Sequence, residues 1–366
     1  MTEKVSLEPD WVSPPGETVA AILNELGVGL TEFASRVRRS AEEVDCLLHG
    51  ETVIGEELAE RLAEVLGSSA SFWKKRDQCY RRDLQRLTER ASSPDAVAWL
   101  SELPLKDMKK LGWIRADGEK ARAAVACMQF FGVAGVIDWR RTYAEPIRTP
   151  AFRSSAAFAS NPGAVAAWLR QGEILASEID CNQWDPTKFR EELYELRAMT
   201  REEDPDKFVP ELIRRCAACG VAVVVLRAPG GCRASGAARF LVPARPMILL
   251  SGRHLTDDHF WFTFYHEAGH LLLHGHTIVF VDTLPGDDGL SGKEEEQANQ
   301  FASDLLIPQE HQAELLRLTA DKIAVMRFAR KIGVSRGIVV GQLQYRKVIP
   351  LNYLNRLKYR FRWSDD

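Results

Sequence analysis

The 366-residue sequence has no apolar run approaching the roughly 20 residues a bilayer span requires. Its first twenty residues, MTEKVSLEPDWVSPPGETVA, contain no apolar stretch of the kind that starts an export signal. No membrane role is expected, and a cytoplasmic location is. A strong charge of either sign is also missing: the formal net charge is −3, so nothing pulls the whole chain toward DNA or anionic lipid, and any nucleic-acid contact has to be local. Cysteine is sparse and odd in number. Cys46, Cys79, Cys127, Cys181, Cys216, Cys219 and Cys232 lack the spacing of a disulfide scaffold and fit reduced thiols. Cys216 and Cys219 form a CxxC without a second pair, and both are read as buried helix residues rather than zinc ligands.

What is present, 45% hydrophobic and 27% charged residues, suffices for one large core or two to three smaller ones. Three regions are expected: 1–90, 91–215 and 216–366. In the first, apolar residues recur at three and four through ETVAAILNELG, LTEFASRVRR, SAEEVDCLLHG and GEELAERLAEVLG, with Gly27, Gly50, Gly55 and Gly67 between them, which predicts short helices over 17–66. The second region reads as a helical connector with loops at 92–94, 142–150 and 180–186, and Arg153 is noted there as a candidate peptide contact. From Gly220 the pattern turns to short β-rich runs, VAVVVL, ARFLV and MILL. A helix over 258–274, an Asp/Gly-rich loop over 282–292 and a helix over 293–306 follow, giving an α+β arrangement with a small sheet.

Chemistry concentrates in His266-Glu267-Ala268-Gly269-His270. Histidines four apart on a helix lie about 40° and one turn from each other, so both rings reach a single zinc ion. Glu267, rotated about 100° from His266, reaches a water beside the metal, takes its proton and delivers it to the leaving amine. The aromatic context, Phe260, Trp261, Phe262 and Phe264, buries this helix, where an unpartnered His-Glu-His set is costly. Catalytic zinc takes a third protein ligand. His276 suits only a chain that turns back at residue 273, which is leucine here. The better source is Glu294-Glu295-Glu296: helical angles place Glu294 and Glu295 equally near the apolar stripe Ala298, Phe301, Ala302 and Leu305, and periodicity does not choose between them. His274 is a candidate for supporting His270 from behind.

Two resemblances add to this reading. The helices over 17–66, followed by Phe72-Trp73, resemble the helix-turn-helix module of the Xre and HigA-like regulators, whose second helix would correspond to Ser40–Leu48. That helix carries Glu42, Glu43 and Asp45, where a DNA reader usually presents cations or amides; Arg36, Arg38 and Arg39 flank it. The segments FWFTFYHEAGHLLLHG, EEEQANQFASDLLIP and FARKIGVSRGIVVGQLQ resemble the ImmA/IrrE family of metallo-endopeptidases over about residues 95–363. The resemblance implies Zn²⁺ held by His266, His270 and Glu295, the glutamate three residues before Ala298-Asn299, with Glu267 catalytic. It also implies a substrate: a cytoplasmic helix-turn-helix repressor whose cleavage switches on stress, mobile-element or phage-defence genes.

A protease of that kind has to be silent until signalled. Cys232, in Ala228-Pro229-Gly230-Gly231-Cys232-Arg233, is a candidate inhibitory zinc ligand. The C-terminal run QYRKVIPLNYLNRLKYRFRW interleaves aromatics with Arg346, Lys347, Arg356, Lys358, Arg360 and Arg362 and has no acid, a pattern that suits single-stranded DNA as an activating ligand and equally a docked amphipathic tail. WKKRDQCYRRDLQRL over 73–87 is a further basic run. A homodimer is a candidate assembly. The rival reading is an antitoxin-like DNA-binding repressor whose peptidase fold is non-catalytic.

Overall fold

A computed structural model describes residues 12–116, 118–145, 161–242, 244–275, 280–282, 293–319 and 321–363. It divides into two compact units, Met1–Ser101 with Leu111–Arg140, and Glu102–Lys110 with Arg141–Asp366. The first contains α1 (Pro15–Leu26), α2 (Leu30–Arg36), α3 (Ala41–Leu48), α4 (Glu56–Leu66), α5 (Ala70–Ala91) and α6 (Pro94–Trp99). After α7 (Leu105–Lys110), which belongs to the second unit, it resumes with α8 (Lys120–Phe131) and α9 (Val136–Trp139). The expected connector over 91–215 is therefore not a body of its own. Residues 111–140 pack with the N-terminal helices because the rings of Trp99, Phe131 and Trp139 meet there at 5.5–6.1 Å, while the later helices cover the sheet of the second unit.

The N-terminal helices fit a helix-turn-helix module. Val19, Leu23, Phe33, Val44, Leu47, Leu58, Leu62 and Trp73 form their core. Ser40 caps α3 through a capping box, accepting from the Glu43 amide while the Glu43 carboxylate accepts from the Ser40 amide. Asp45 accepts two bonds from Arg115, at 2.6 and 3.0 Å, and Arg36 and Arg39 pair with Glu32 and Glu43. Two of the three acids on the second helix are thus engaged within the unit, as are two of the flanking arginines. The basic run over 73–87 lies on α5, a single 22-residue helix rather than a short one.

The second unit follows with α10 (Pro162–Glu178), α11 (Pro186–Leu196) and α12 (Pro205–Ala217). Each starts with proline in its first turn behind an Asn or Asp that caps it, Asn161, Asp185 and Asp204. Then come β1 (Ala222–Val225), β2 (Gly236–Val242), β3 (Arg245–Leu250), α13 (Asp257–Leu273), β4 (Phe280–Asp282), α14 (Lys293–Leu306), α15 (Gln309–Leu316), α16 (Lys322–Ile332) and α17 (Arg336–Tyr345). The strands form one sheet in the order β1-β3-β2-β4, with β1 parallel to β3 and the other neighbours antiparallel. Three of the four were expected. The short β4 was not, because three residues carry no period.

Register explains why the strand sequences are apolar throughout. Val223 pairs with Ile248 and Val225 with Leu250 on the face toward α13, while Ala222 with Met247 and Val224 with Leu249 face α10. Both faces are buried, so the alternation of a half-exposed strand is missing. Cys216 and Cys219 are buried where α12 ends, and burial raises both thiols above their ordinary range, as the structural reading of the CxxC requires. Among the described residues no single helix is long and apolar enough to cross a membrane.

Two short-side-chain positions lock α17 to the start of α13. A methyl group on Gly337 would lie 2.1 Å from Asp257 Oδ1, and one on Gly341 would lie 2.8 Å from Asp258 Oδ2. Asp257 accepts from Ser335 Oγ at 2.6 Å and from the Tyr359 amide at 3.0 Å. Gly337→Ala is expected to destabilise the protein by about 2–3 kcal/mol, read as a lower denaturation midpoint in guanidinium; an unchanged midpoint would show that the α13–α17 contact is loose.

Candidate metal centre

α13 is buried along most of its length, and its side chains divide by direction. One face meets the sheet, where β2 presents Gly236 and Ala238 rather than larger residues; another meets α14, where Gly269 lies against Phe301 and the backbone of Ala298 at 3.0–3.4 Å from where a Cβ would stand. This close approach brings the first turn of α14 to the histidines. His266 Nε2 lies 3.3 Å from Glu295 Oε2, His270 Nε2 lies 3.4 Å from Glu295 Oε1, and the two Nε2 atoms are 2.9 Å apart. Among the described residues these three are the one group of His, Cys, Asp or Glu side chains close enough to share an ion. The choice that periodicity left open between Glu294 and Glu295 is made by packing: Glu295 is the acid that reaches the rings.

The outer nitrogens set which inner nitrogens are bare. His266 Nδ1 lies 3.1 Å from Asn299 Oδ1, an acceptor, so this nitrogen carries the proton and Nε2 keeps its lone pair. His274 Nε2 lies 3.0 Å from Gln297 Oε1 and donates to it, which leaves His274 Nδ1 to accept from His270 Nδ1 at 3.1 Å. His270 Nε2 is then bare as well. Two lone pairs and a carboxylate therefore converge in the interior and repel one another unless a cation joins them. Burial holds His270 neutral, with its pKa down at about 4. Glu295 presents its two carboxylate oxygens to the two Nε2 nitrogens. Neutral imidazoles and an ionised carboxylate form the donor set that zinc accepts.

Glu267 does not enter the cluster. Its side chain is wholly buried and is directed at β2, where the space for its carboxylate exists because residue 236 is glycine: a Cβ there would stand 2.5 Å from Glu267 Oε1 and 2.5 Å from Thr263 Cγ2. It flanks the centre without ligating, as the 100° helical offset requires.

Residues 220–344 match the IrrE N-terminal-like domain of the peptidase M78 family. The match covers the sheet, α13 with its two histidines, and α14 with Glu295, about a third of the chain. No curated protein matches the chain. The matched residues thus contain every group in the cluster. The match does not reach the N-terminal unit.

The remaining candidates are placed differently. Cys232 lies on the loop between β1 and β2, its amide bonded to Pro229 O; burial pushes its thiol up to about 12, and it does not join the metal group. The structure therefore does not bring Cys232 together with the two histidines and Glu295. Lys358 is committed to the fold, 2.6 Å from Asp258 in an ion pair almost closed to water and 2.8 Å from Gln344 Oε1. Arg346 ends α17 and donates to Gln312. Lys347, Arg356, Arg360 and Arg362 are exposed. Arg153, His276 and residues 283–292 lie outside the described residues. Asn299, Gln297, Gly236 and Gly269 were missed as site residues; the Ala298-Asn299 pair was visible, but one helix alone does not reveal what an amide faces.

Two predictions follow from this geometry. Glu295→Ala should weaken zinc binding by at least roughly a hundredfold in a chelator competition, whereas Glu294→Ala should leave it in place; equal losses would remove Glu295 from the ligand set. Gly236→Ala should retain zinc yet lower peptide hydrolysis by about a hundredfold, because it displaces Glu267; full hydrolysis would show that Glu267 tolerates the shift.

Proposed function

We propose that the chain is a zinc-dependent endopeptidase that cuts a helix-turn-helix repressor and thereby induces genes of stress response, mobile elements or phage defence. The observation that supports it best is the convergence of two bare imidazole nitrogens and an ionised carboxylate beside a buried glutamate that is not a ligand. A structural metal site has no use for the last group.

His266, His270 and Glu295 would hold the ion, with Asn299 and the His274–Gln297 relay fixing the two rings. Bound there, zinc supplies a Lewis acid that polarises a peptide carbonyl and makes a water more acidic. Glu267 takes the proton of the attacking water as its oxygen bonds to the carbonyl carbon, and returns that proton to the amine nitrogen as the C–N bond breaks. The walls of α13, α14 and β2 exclude bulk water, so the carboxylate acts in a medium where its charge is weakly screened.

The rival reading, a repressor with an inert peptidase fold, gives no use for the glycine at 236 that makes room for the Glu267 carboxylate. An activating role for single-stranded DNA rests on Lys347, Arg356, Arg360 and Arg362, since Lys358 serves the fold. The deciding experiment co-expresses the chain, or its Glu267→Gln form, with helix-turn-helix proteins encoded beside it. Cleavage of one of them, reduced at least about a hundredfold by Glu267→Gln, is the expected result. Operator binding by the intact chain without any cleavage would establish the rival.

A further inference from the structure

Among the described residues of the second unit lies a cavity large enough to receive a ligand. It encloses about 400 Å³ and is not part of the metal centre. Its walls come from the first half of α13, the end of α14, α17, and the segment that follows α17.

The cavity lies in line with the metal centre. His259 and Phe262 line it, and they stand seven and four residues before His266, on the stripe of α13 that continues through His266 to His270. The Phe262 ring is 6.3 Å from the His266 ring on one side and 6.1 Å from the Tyr345 ring on the other. Two helical turns are about 10 Å, which an extended peptide covers in about three residues at roughly 3.3 Å each.

Its lining is selective. Phe262, Leu306, Ile338, Tyr345 and Leu351 give apolar walls. At the rim Tyr345 and Leu351 remain 43% and 76% exposed, and Val348 and Tyr353 beside them are exposed too, an apolar surface of the kind that meets another chain. The buried charges inside are already satisfied: Asp258 is paired with Lys358, burial keeps His254 and His259 neutral, and the remaining cation of the lining, Arg360, is exposed. Gln344 is used up by Lys358 and by the carbonyls of Leu351 and Tyr353. What remains are three buried oxygens, two of them pure acceptors and one a hydroxyl that accepts or donates. Thr256, Asp258 and Gln342 all line the cavity, all are more than nine-tenths buried, and Thr256 Oγ1, Asp258 Oδ1 and Gln342 Oε1 have no hydrogen-bond partner among the described residues. Buried acceptors without donors are costly and call for N–H groups from outside.

We propose that this cavity is the specificity subsite for the protein that is cut: it seats a bulky uncharged side chain with an apolar body and an N–H-bearing tip, such as tryptophan or glutamine, about three residues from the scissile bond. This rests on the peptidase reading above and adds the chemistry of the substrate to it.

The test uses the full chain loaded with zinc and a randomised peptide library, with two readouts: the sequences of cleaved peptides, and retention of peptides on the Glu267→Gln chain. The expected result is one enriched position, two to four residues from the cut, favouring tryptophan and glutamine and disfavouring Asp, Glu, Lys and Arg. Gln342→Leu should lower the preference for N–H-bearing over purely apolar residues there by roughly tenfold. Leu351→Asp, at an exposed position that the fold does not need, should lower retention of the enriched peptides by at least about tenfold. Cleavage without a preference at that distance, or a preference that neither variant changes, overturns the subsite while leaving the peptidase intact. Selective retention without any cleavage by the zinc-loaded chain overturns the peptidase and leaves the cavity as a peptide site. Neither cleavage nor retention overturns both.

Discussion

Two imidazole nitrogens held 2.9 Å apart beside a carboxylate, inside the protein, repel one another. Folding the second unit brings about that repulsion, and the rest of the unit has to withstand it. Nothing at the three ligands themselves does so. The support comes from behind, through Asn299 and through His274 and Gln297, whose acceptor oxygens dictate which ring nitrogens carry protons. An isolated pair of buried histidines would lower its energy by rotating one ring. Here rotation forfeits a hydrogen bond on the outer side, so the lone pairs stay converged and the site is preorganised for a cation.

The same convergence governs the helix packing. Glu295 is a short way into α14, and its carboxylate reaches both rings only if α13 and α14 nearly touch. Gly269 and Ala298 allow that, and Gly236 provides the matching allowance on the sheet side. Two glycines thus control two different contacts: the one toward α14 sets whether Glu295 reaches the histidines, and the one toward β2 sets whether the Glu267 carboxylate fits. Neither participates in chemistry, yet each lies at a point where one extra methyl group displaces an atom that does.

How much of this was legible in the sequence follows from how local each feature is. The histidines, Glu267, the three longer strands and both site helices are local patterns, and the structure places them within one or two residues of where period and spacing put them. Glu295 was half legible: an acid from that helix was required, but angles around a single helix left two, and the distance to another helix decides. Gly236, Asn299 and Gln297 matter through contacts 23 to 33 residues away in the chain, which no period reports. The position of Cys232 is non-local too. Its place on a glycine-rich loop near the sheet was legible, while its absence from the metal group and the burial that raises its thiol are properties of the packed loop.

The residues that match the M78 domain end at 344, but the folding unit does not. The segment beyond α17 returns to the start of α13: Phe361 N donates to Leu255 O, Asp257 N donates to Tyr359 O while the Tyr359 amide donates to the Asp257 carboxylate, and Lys358 neutralises Asp258 in the interior. Removing Lys358 would leave a buried carboxylate without its cation, a loss of about 3–5 kcal/mol in such settings, comparable with much of a domain's net stability. It would act on the first turn of the helix that carries both histidines. The basic, aromatic composition of this tail is therefore explained in part by its docking: Tyr359 lies under the Arg336 guanidinium, Phe361 packs on Phe208 and Phe260, and Lys358 is internal. What is left over at its surface, Lys347, Arg356, Arg360 and Arg362, is a smaller set of cations than the sequence alone suggested, and one of them, Arg360, lines the cavity beside the first half of α13. The tail is first a wall of the second unit, and a ligand held at its surface would lie beside the cavity that Arg360 lines.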